Sequence, residues 1–291
     1  MLIGLTVVVF VVARMLGDPA KLMLPLEATE EQYLALRKAM GFDDPLYIQF
    51  ARFVSDVARG DFGKSLWQNV PSLPLVLNRL PATMLLTAGT MTLAILVAIP
   101  VGTISAMRPR SFADRLSTVF SLAGVSIAEF WLALMLILFF AVQLGWVHTS
   151  GYGEWKHLIL PSVSLALRPI GRIAQVVRSS MLEELGKPYI VTARAKGLPE
   201  RVVVFYHALK NASIPIITLT GDEIAGLVNG AVVAEVVFGW PGVGLLVIDA
   251  IEKRDLPLIQ ADVFVVAVLV VLINLLVDII YAYLDPRVRY E

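Results

Sequence analysis

Residues Gly186 to Pro215 read GKPYIVTARAKGLPERVVVFYHALKNASIP, and more than any other segment they indicate how this chain is built. Tyr189–Lys196 is a helix-capable run, and Gly197 suits the left-handed position that ends a helix. Pro199 suits the first position of a following helix, with an acidic residue next to it in the first turn. The pattern predicts two short helices broken at Gly197.

The second of these helices is expected to have an apolar face. Val203, Tyr206 and Leu209 or Lys210 recur at three-to-four-residue spacing, which places them on one side of a helix. A short amphipathic helix that lies flat under a membrane is shaped to dock into a groove on a partner. We therefore expect residues 181–211 to form a loop that contacts another protein.

Composition indicates a membrane protein. The chain has 291 residues, of which 57% are hydrophobic, and its mean hydropathy is +0.76, whereas soluble domains are about 45–50% apolar. The net charge is zero, so no overall field favours nucleic acid. There are no cysteines, which excludes disulfides, thiolate metal sites and thiol nucleophiles.

The chain contains six apolar stretches. Each is long enough to cross about 30 Å of hydrocarbon, except the first, which is marginal. They comprise residues 1–16, 82–106, 116–144, 158–180, 213–238 and 261–283. The first has no basic residue before it, so we interpret it as a membrane helix cut short at its N-terminus and not as a signal peptide. The sequence thus predicts an all-α membrane protein with six transmembrane helices.

A polar segment, residues 17–81, separates the first two predicted spans. Thr29 is placed to cap a short amphipathic helix through Met40, with two glutamates in its first turn. We expect this segment to be a folded extracytoplasmic loop or cap, and residues 82–291 to form the core membrane domain.

Basic residues of the short loops predict the orientation. They cluster on one side, at Arg108, Arg110, Arg115, Arg178, Lys187, Arg194, Lys196, Arg201, Lys210, Arg287 and Arg289. The opposite short loops hold only Lys156, Lys253 and Arg254. This bias puts both termini and the 181–211 loop in the cytoplasm. Tryptophans expected at the outer boundaries, as an aromatic belt, are Trp146, Trp155 and Trp240.

Several motifs follow one another along nearly the whole chain. They are LGDPA (16–20), GDFGKS (60–65), RLPAT (79–83), YIVTARAKGL (189–198), HALKNA (207–212) with Pro215, and GAVVAEVVFGWPGVG (230–244), continued by DAI (249–251) and RDLP (254–257). Together they resemble the permease subunits of bacterial ABC importers, and most of all the dipeptide, oligopeptide and nickel branch. The 189–198 motif resembles their EAA loop, although Val191-Thr192-Ala193 stands in place of Glu-Ala-Ala.

The resemblance implies a type I ABC importer permease fold with a cytoplasmic coupling helix, and a transport subunit that is not itself an enzyme. The chain has no Gly-x-x-x-x-Gly-Lys-Ser/Thr motif, so ATP and Mg²⁺ are expected on partner subunits. The implied partners are a second homologous permease, two ATP-binding subunits, an extracytoplasmic solute-binding protein and the lipid of a bacterial inner membrane. No nucleic acid is implied.

Site residues follow from the same resemblance. Those expected to couple to the ATPases are Tyr189, Ala193, Arg194, Lys196, Gly197, Leu198, Val203, Tyr206 and His207. Those of the expected outer loop are Trp240, Pro241, Gly242, Asp249, Arg254 and Asp255. Within it, residues 239–244 are expected to form a re-entrant turn, and the alternative is an ordinary loop with an interfacial tryptophan.

Charged residues inside the predicted spans are the candidates for the solute path. Ionisable groups at such depth usually face a bundle interior or a wet cavity. We expect Asp222, Glu223 and Glu235 to line the path, and the alternative is that they pair with Arg168 or Arg172 between helices. A run of small residues, Gly221, Gly226 and Gly230, predicts close packing of the same span against a neighbour.

Other readings remain open at this point. A secondary transporter or channel would also have six spans and buried charges, but it would not predict the 186–215 loop. His148, His157 and His207 are far apart in the sequence and lack ligand spacing, so no metal site is predicted. Peptides are the expected solute, and nickel chelates, opines or oligosaccharides are the alternatives.

Overall fold

The structure, a computed structural model, describes residues 4, 6, 7, 9–11, 29–39 and 43–284. Within these residues the regular elements are helices, and one isolated bridge joins Lys64 to Pro71. The helices are α1 Glu30–Ala39, α2 Leu46–Ala58, α3 Ser72–Met107, α4 Phe112–Ser126, α5 Glu129–Leu136 with a π-helix Ile137–Gln143, α6 Trp155–Leu185, α7 Pro188–Ala195, a π-helix Val202–Ala208 leading into α8 Leu209–Gly230, α9 Val232–Phe238, α10 Val243–Glu252 and α11 Leu256–Leu284. Most of the first predicted span, residues 1–16, lies outside the described residues, as do Arg287 and Arg289.

Among the described residues, three helices are long and apolar enough to cross a membrane: Ser72–Met107, Val202–Gly230 and Leu256–Ile280. The number rises to five if α4 with α5 and its π-helix, and α9 with α10, are each counted as one span. Helix α6 contains the predicted span 158–180 as one element, but its arginines keep it out of this apolar set. The all-helical membrane fold is confirmed, and the total of six spans stays a prediction.

The short helix predicted after Thr29 is confirmed. The Thr29 hydroxyl accepts a hydrogen bond from the Gln32 N–H at 3.4 Å, and the Gln32 side chain accepts one from the Thr29 N–H at 3.1 Å. This reciprocal arrangement is a capping box, which satisfies two N–H groups that helix formation leaves without partners. Helix α1 therefore begins one residue after its cap, and it ends at Ala39.

The predicted span 116–144 is not one straight helix. Helix α4 meets the α5 segment at an angle of 103°, and Ile127 and Ala128 are extended between them. Before the bend, α4 lies close against α6. A Cβ on Gly124 would lie 2.6 Å from the Leu167 carbonyl oxygen, and one on Gly171 would lie 2.5 Å from that of Ser121. The two backbones touch through these glycines, so a larger residue at either position would push the helices apart.

The predicted span 213–238 also has different limits. Its helix begins earlier, because residues 202–208 form a π-helix that runs without interruption into α8. It ends earlier as well, because Gly230 closes α8 and a new helix, α9, follows. The flat helix expected under the membrane is therefore the start of a long helix and not a separate element.

The described chain groups into two compact units. The first is Met1–Ala82 with Pro241–Val270, and the second is Thr83–Trp240 with Val271–Glu291. This differs from the expected division at residue 82, since residues 241–270 group with the N-terminal part. The first unit has its own apolar core, formed by Phe62, Val76, Val243, Leu246, Ala250, Leu258 and Ala261.

Helix α6 lies at the centre of the second unit. It packs against α4, α5, α8 and α9, and it buries one residue in nearly every turn. Helix α8 also approaches the last part of α11 closely, because a Cβ on Gly221 would overlap the side chain of Val277. Among the described residues, no atom lies within 4 Å of a Cβ added at Gly226 or Gly230. The predicted close packing within the chain is therefore confirmed at Gly221, and it stays a prediction at the other two glycines.

Candidate functional site

The turn between α7 and the following helix is centred on Gly197. Its φ is +75°, in the left-handed region that glycine adopts without strain. The Leu198 N–H donates to the Ala193 carbonyl at 3.4 Å, and the Gly197 N–H donates to the Arg194 carbonyl at 2.9 Å. These two bonds form a Schellman motif, which uses carbonyl groups at the end of α7. The predicted helix break at Gly197 is confirmed.

An ion pair spans this turn. Arg194 Nη2 lies 2.6 Å from Glu200 Oε1, and Arg194 Nε lies 3.2 Å from Glu200 Oε2. The hydrogen bonds from Arg194 hold the pKa of Glu200 below its usual value. Because both side chains are nearly half exposed, the pair adds only about 0–1 kcal/mol to stability. Because the pair is bidentate, it holds Arg194 and Glu200 in a fixed orientation across the turn.

The start of α7 is tied to both neighbouring helices. The Tyr189 hydroxyl donates to Glu184 Oε2 at 2.6 Å, and the Asn211 amide donates to the same hydroxyl at 3.0 Å. Lys187 Nζ lies 2.6 Å from the other oxygen of Glu184. Burial opposes the charge of Glu184, but the hydrogen bonds from Lys187 and Tyr189 outweigh it and lower the pKa of this carboxyl. Tyr189 thus joins the end of α6 to the beginning of α8.

One side of the loop is buried within this chain. Ile190 and Val203 are fully buried, and Ala193 is nearly so. Val203 was predicted on the docking face, and this placement is wrong: it packs inward. The sequence left the phase of the helix open because Val202, Val203 and Val204 are all apolar, so the 3.6-residue period fits more than one face.

The opposite side of the loop is exposed and carries apolar side chains. Tyr206 is 64% exposed and Leu198 is 38% exposed, and both are sequence-predicted coupling residues. Phe205 is 56% exposed and Val191 is 62% exposed, and the sequence analysis missed both. Lys196 is exposed and His207 is partly buried, with its ring edge-on to Tyr206 at 5.2 Å. The exposed apolar surface is thus formed by Val191, Leu198, Phe205 and Tyr206, which we call the loop surface.

Charged residues of α6 and α8 meet between the two helices. Arg172 Nη1 bonds Glu223 Oε1, and Arg172 Nη2 lies 3.8 Å from Asp222 Oδ2. The Glu223 side chain is 7% exposed, whereas that of Asp222 is 69% exposed. The structure therefore pairs Glu223 with Arg172, as the alternative interpretation expected. Asp222 is the member of this group that faces outward from the chain.

Glu235, the third residue expected on the path, is fully buried. Its carboxylate accepts a hydrogen bond of 2.6 Å from the Thr83 hydroxyl. Both residues belong to the second unit, where the bond ties α9 to α3. Glu235 thus has a packing role in this conformation.

The residues predicted for the outer loop separate into the two units. Trp240 belongs to the second unit and is 1% exposed, with its ring edge-on to Tyr152 at 4.9 Å. Trp240 is thus packed within this chain, and its position at the outer membrane boundary stays a prediction. The preceding residue, Gly239, ends α9 with a left-handed φ of +58°. Trp146 and Trp155 are well exposed.

The remaining outer-loop residues belong to the first unit. Asp255 is fully buried and caps α11: its carboxylate accepts hydrogen bonds from Ser65 Oγ and, at 3.3 Å, from the Leu258 N–H. Arg254 is exposed and left-handed, with φ of +54°. Of the others, Pro241 and Asp249 are partly buried and Gly242 is buried.

Two histidines that are separate in the sequence lie together in the structure. The rings of His148 and His157 stack with their centroids 4.4 Å apart. Glu154 stands beside them, with Oε2 3.5 Å from His148 Nε2. This cluster could not be predicted from the sequence, because the spacing between the histidines matches no ligand motif and the loop between them brings them together.

Comparison with known proteins places this geometry in a family. The profile described as "Binding-protein-dependent transport system inner membrane component" matches residues 98–290, which include the whole 181–211 loop. The chain belongs to this family. The permease is 43% identical over 94% of its length to a protein of Sinorhizobium fredii named a probable peptide ABC transporter permease, of which it covers 90%.

Two further relatives are similar over nearly the full chain. A dipeptide transport system permease protein of Alkalihalophilus pseudofirmus is 39% identical over 99% of the permease and 96% of that protein. A glutathione transport system permease protein of Escherichia coli K12 is 39% identical over 98% and 94% of the two chains.

Solved structures agree on the fold. An inward-facing MetNI methionine ABC transporter gives a TM-score of 0.59 at 20% identity, covering 72% of the permease and 96% of that chain. An amino acid ABC transporter determined with histidines gives 0.57 at 15% identity, covering 72% and 94%. At these identities the similarity establishes the ABC importer permease fold alone.

Proposed function

We propose that this permease carries di- or oligopeptides across a bacterial inner membrane as one subunit of an ATP-driven importer. The single observation that carries the solute class is the full-length similarity, at about 40% identity, to relatives named for peptide, dipeptide and glutathione transport. Glutathione is itself a tripeptide, so the three names share one chemistry.

The energy source is proposed to be two ATP-binding subunits that dock on the loop surface. This surface offers exposed apolar side chains on a helical turn that is held on its other side by fully buried Ile190 and Val203. A docked ATPase that moved the loop would move α8 directly, because Val202–Gly230 is one continuous helical span. Such motion can favour one conformation only if the nucleotide binds the two conformations with different affinity.

The assembly is proposed to contain a second homologous permease subunit and an extracytoplasmic solute-binding protein, with both termini of this chain in the cytoplasm. Asp222, exposed on α8 beside Arg172, is the residue proposed to face the solute path. An α-amino or carboxylate group of a peptide would find a charged partner there.

The test is uptake by cells that lack this chain, complemented with the wild-type permease. Radiolabelled dipeptides, a tripeptide, glutathione, a nickel chelate, an opine and an oligosaccharide are compared, each with and without ATP depletion. ATP-dependent uptake restored for peptides alone supports the proposal. Restoration for only the chelate, opine or sugar would overturn the solute class, and uptake that persists without ATP would indicate a secondary transporter or channel.

A further inference from the structure

The cluster of His148, Glu154 and His157 lies apart from the 181–211 loop. It is also separate from the charged group of Arg172, Asp222 and Glu223. The side-chain donor atoms of these three residues all lie within 4.8 Å of one another. His148 and Glu154 are exposed, and His157 is partly buried in the first turn of α6. Two imidazoles and a carboxylate within this distance are a set of groups that can bind a metal ion.

The loop before α6 orients these side chains. The Glu154 N–H donates to His157 Nδ1 at 3.3 Å, which leaves Nε2 as the nitrogen available to a ligand. A Cβ on Gly151 would lie 3.0 Å from that Nε2, so a glycine at this position keeps the space beside the nitrogen clear. Gly151 is fixed in turn, because its N–H donates to the Phe238 carbonyl at 3.1 Å.

We propose that His148, Glu154 and His157 bind one divalent transition-metal ion of the class that prefers imidazole, such as Zn²⁺. Zinc binds histidine nitrogen at about 2.0–2.1 Å and carboxylate oxygen at about 2.0–2.2 Å, with water completing a four-ligand site. Ligand atoms around such an ion lie about 3.3 Å apart. The donor atoms of the three residues must therefore move closer together on binding, and the stacked imidazole rings must rotate. His148 and Glu154 are exposed, and exposed side chains make rotations of this size within nanoseconds.

The donor set also excludes other ions. Ca²⁺ and Mg²⁺ require mainly oxygen ligands, and this cluster offers a single carboxylate. The consequence of binding is a link between the 145–154 loop and the first turn of α6. That loop already contacts the turn that follows α9, through Gly151 and through the Tyr152–Trp240 ring pair. A bound ion would stiffen this end of the second unit, on the side predicted to be extracytoplasmic.

The experiment is calorimetric titration of Zn²⁺ into the purified full-length permease, with its co-purifying subunits, prepared with an affinity tag that contains no histidine. The chain has three histidines, so His207→Ala is a matched control that removes the imidazole outside the cluster. Loss of even an outer partner of a metal site typically weakens binding about 10–100-fold. We therefore expect one Zn²⁺ per permease, with affinity at least about tenfold weaker in His148→Ala and in His157→Ala and unchanged in His207→Ala.

Thermal unfolding separates loss of the site from loss of the fold. Without metal, His148→Ala and His157→Ala should unfold at the wild-type temperature. With Zn²⁺, the wild type and His207→Ala should each unfold at a higher temperature than their own metal-free forms, and the two cluster variants should not. Mg²⁺ added without ATP should stabilise none of them. The proposal is overturned if the wild type binds no Zn²⁺, or if His207→Ala weakens binding as much as the cluster variants do. If a cluster variant is itself unstable, Glu154→Gln provides the same test.

Discussion

Arg194 and Glu200 form an ion pair across the left-handed turn at Gly197, with Nη2 of the arginine 2.6 Å from Oε1 of the glutamate. The pair and the turn together set the direction in which the chain leaves α7 and enters the helix that becomes α8. The surface next to this turn is where we propose that an ATPase docks. In that proposal, the geometry of the turn sets how motion of the partner reaches the membrane.

Gly197→Ala should lower both stability and uptake. Among the described residues, no atom beyond the two chain neighbours lies within 4 Å of the added Cβ, so the cost comes from the left-handed φ, which disfavours a side chain by about 1–2 kcal/mol. The turn can relax only by changing the angle between α7 and the next helix. Thermal unfolding and peptide uptake are the measurements. Gly186→Ala is the control, because Gly186 has an ordinary φ of −83° and should tolerate alanine; equal losses in both variants would contradict the importance of the left-handed turn.

Phe205→Ala should impair transport without unfolding the permease. Phe205 is 56% exposed on the loop surface, so its truncation leaves the interior of this chain intact while it removes contact area from the proposed docking face. Val203→Ala is the opposite case: it leaves a cavity at a fully buried position and should cost about 1–3 kcal/mol. Uptake and thermal stability should separate the two variants, and a Phe205→Ala protein with full uptake would remove Phe205 from the docking face.

Adjacent acidic residues of α8 should respond differently to neutralisation. Glu223→Gln leaves the Arg172 guanidinium without its close partner, and loss of such a bond costs about 1–3 kcal/mol, so stability should fall. Asp222→Asn should leave stability unchanged, because Asp222 is largely exposed and 3.8 Å from Arg172. Its uptake should fall if it faces the solute path. Normal uptake by a fully assembled Asp222→Asn permease would exclude Asp222 from that path.

Stability should fall in acid partly through Glu184. Its pKa is lowered in the folded protein, so its contribution is full above the ordinary carboxyl pKa of about 4.3 and is lost as the pH falls below that value. Glu184→Gln should be less stable than wild type at pH 7 and should lose less on acidification. Its neighbour Glu183 is 75% exposed and 3.6 Å from Lys187, so Glu183→Gln should resemble wild type at each pH. Equal acid sensitivity of wild type and Glu184→Gln would contradict this account.

What could be predicted from the sequence is mainly what local chemistry dictates. Thr29 and Gln32 lie three residues apart, as a capping box requires, and Gly197 is the residue type that a left-handed turn favours. The start of α1 and the break at Gly197 could therefore both be predicted from the sequence. The family could be predicted for a different reason: motifs typical of it follow one another along nearly the whole chain, including the segment around Gly197.

The remainder depends on contacts between residues far apart in the chain. The contact of α4 with α6 depends on Gly124 and Gly171 lying against the backbone of the opposing helix, and an apolar run carries no mark of such a partner. Trp240 is buried and packs against Tyr152, almost ninety residues earlier. The phase of the helix around Val203 was ambiguous because three consecutive valines fit either face.

Cross-linking in membranes tests most directly whether an ATPase drives this permease through the loop surface. The chain has no cysteine, so a single Leu198→Cys or Phe205→Cys reporter can be cross-linked and its partner identified by mass spectrometry. We expect a cross-link from both positions to an ATP-binding subunit, changed in yield by ATP, and none to that subunit from a Trp146→Cys control. Cross-links that avoid any ATP-binding protein, or that reach one equally from Trp146→Cys, would contradict it.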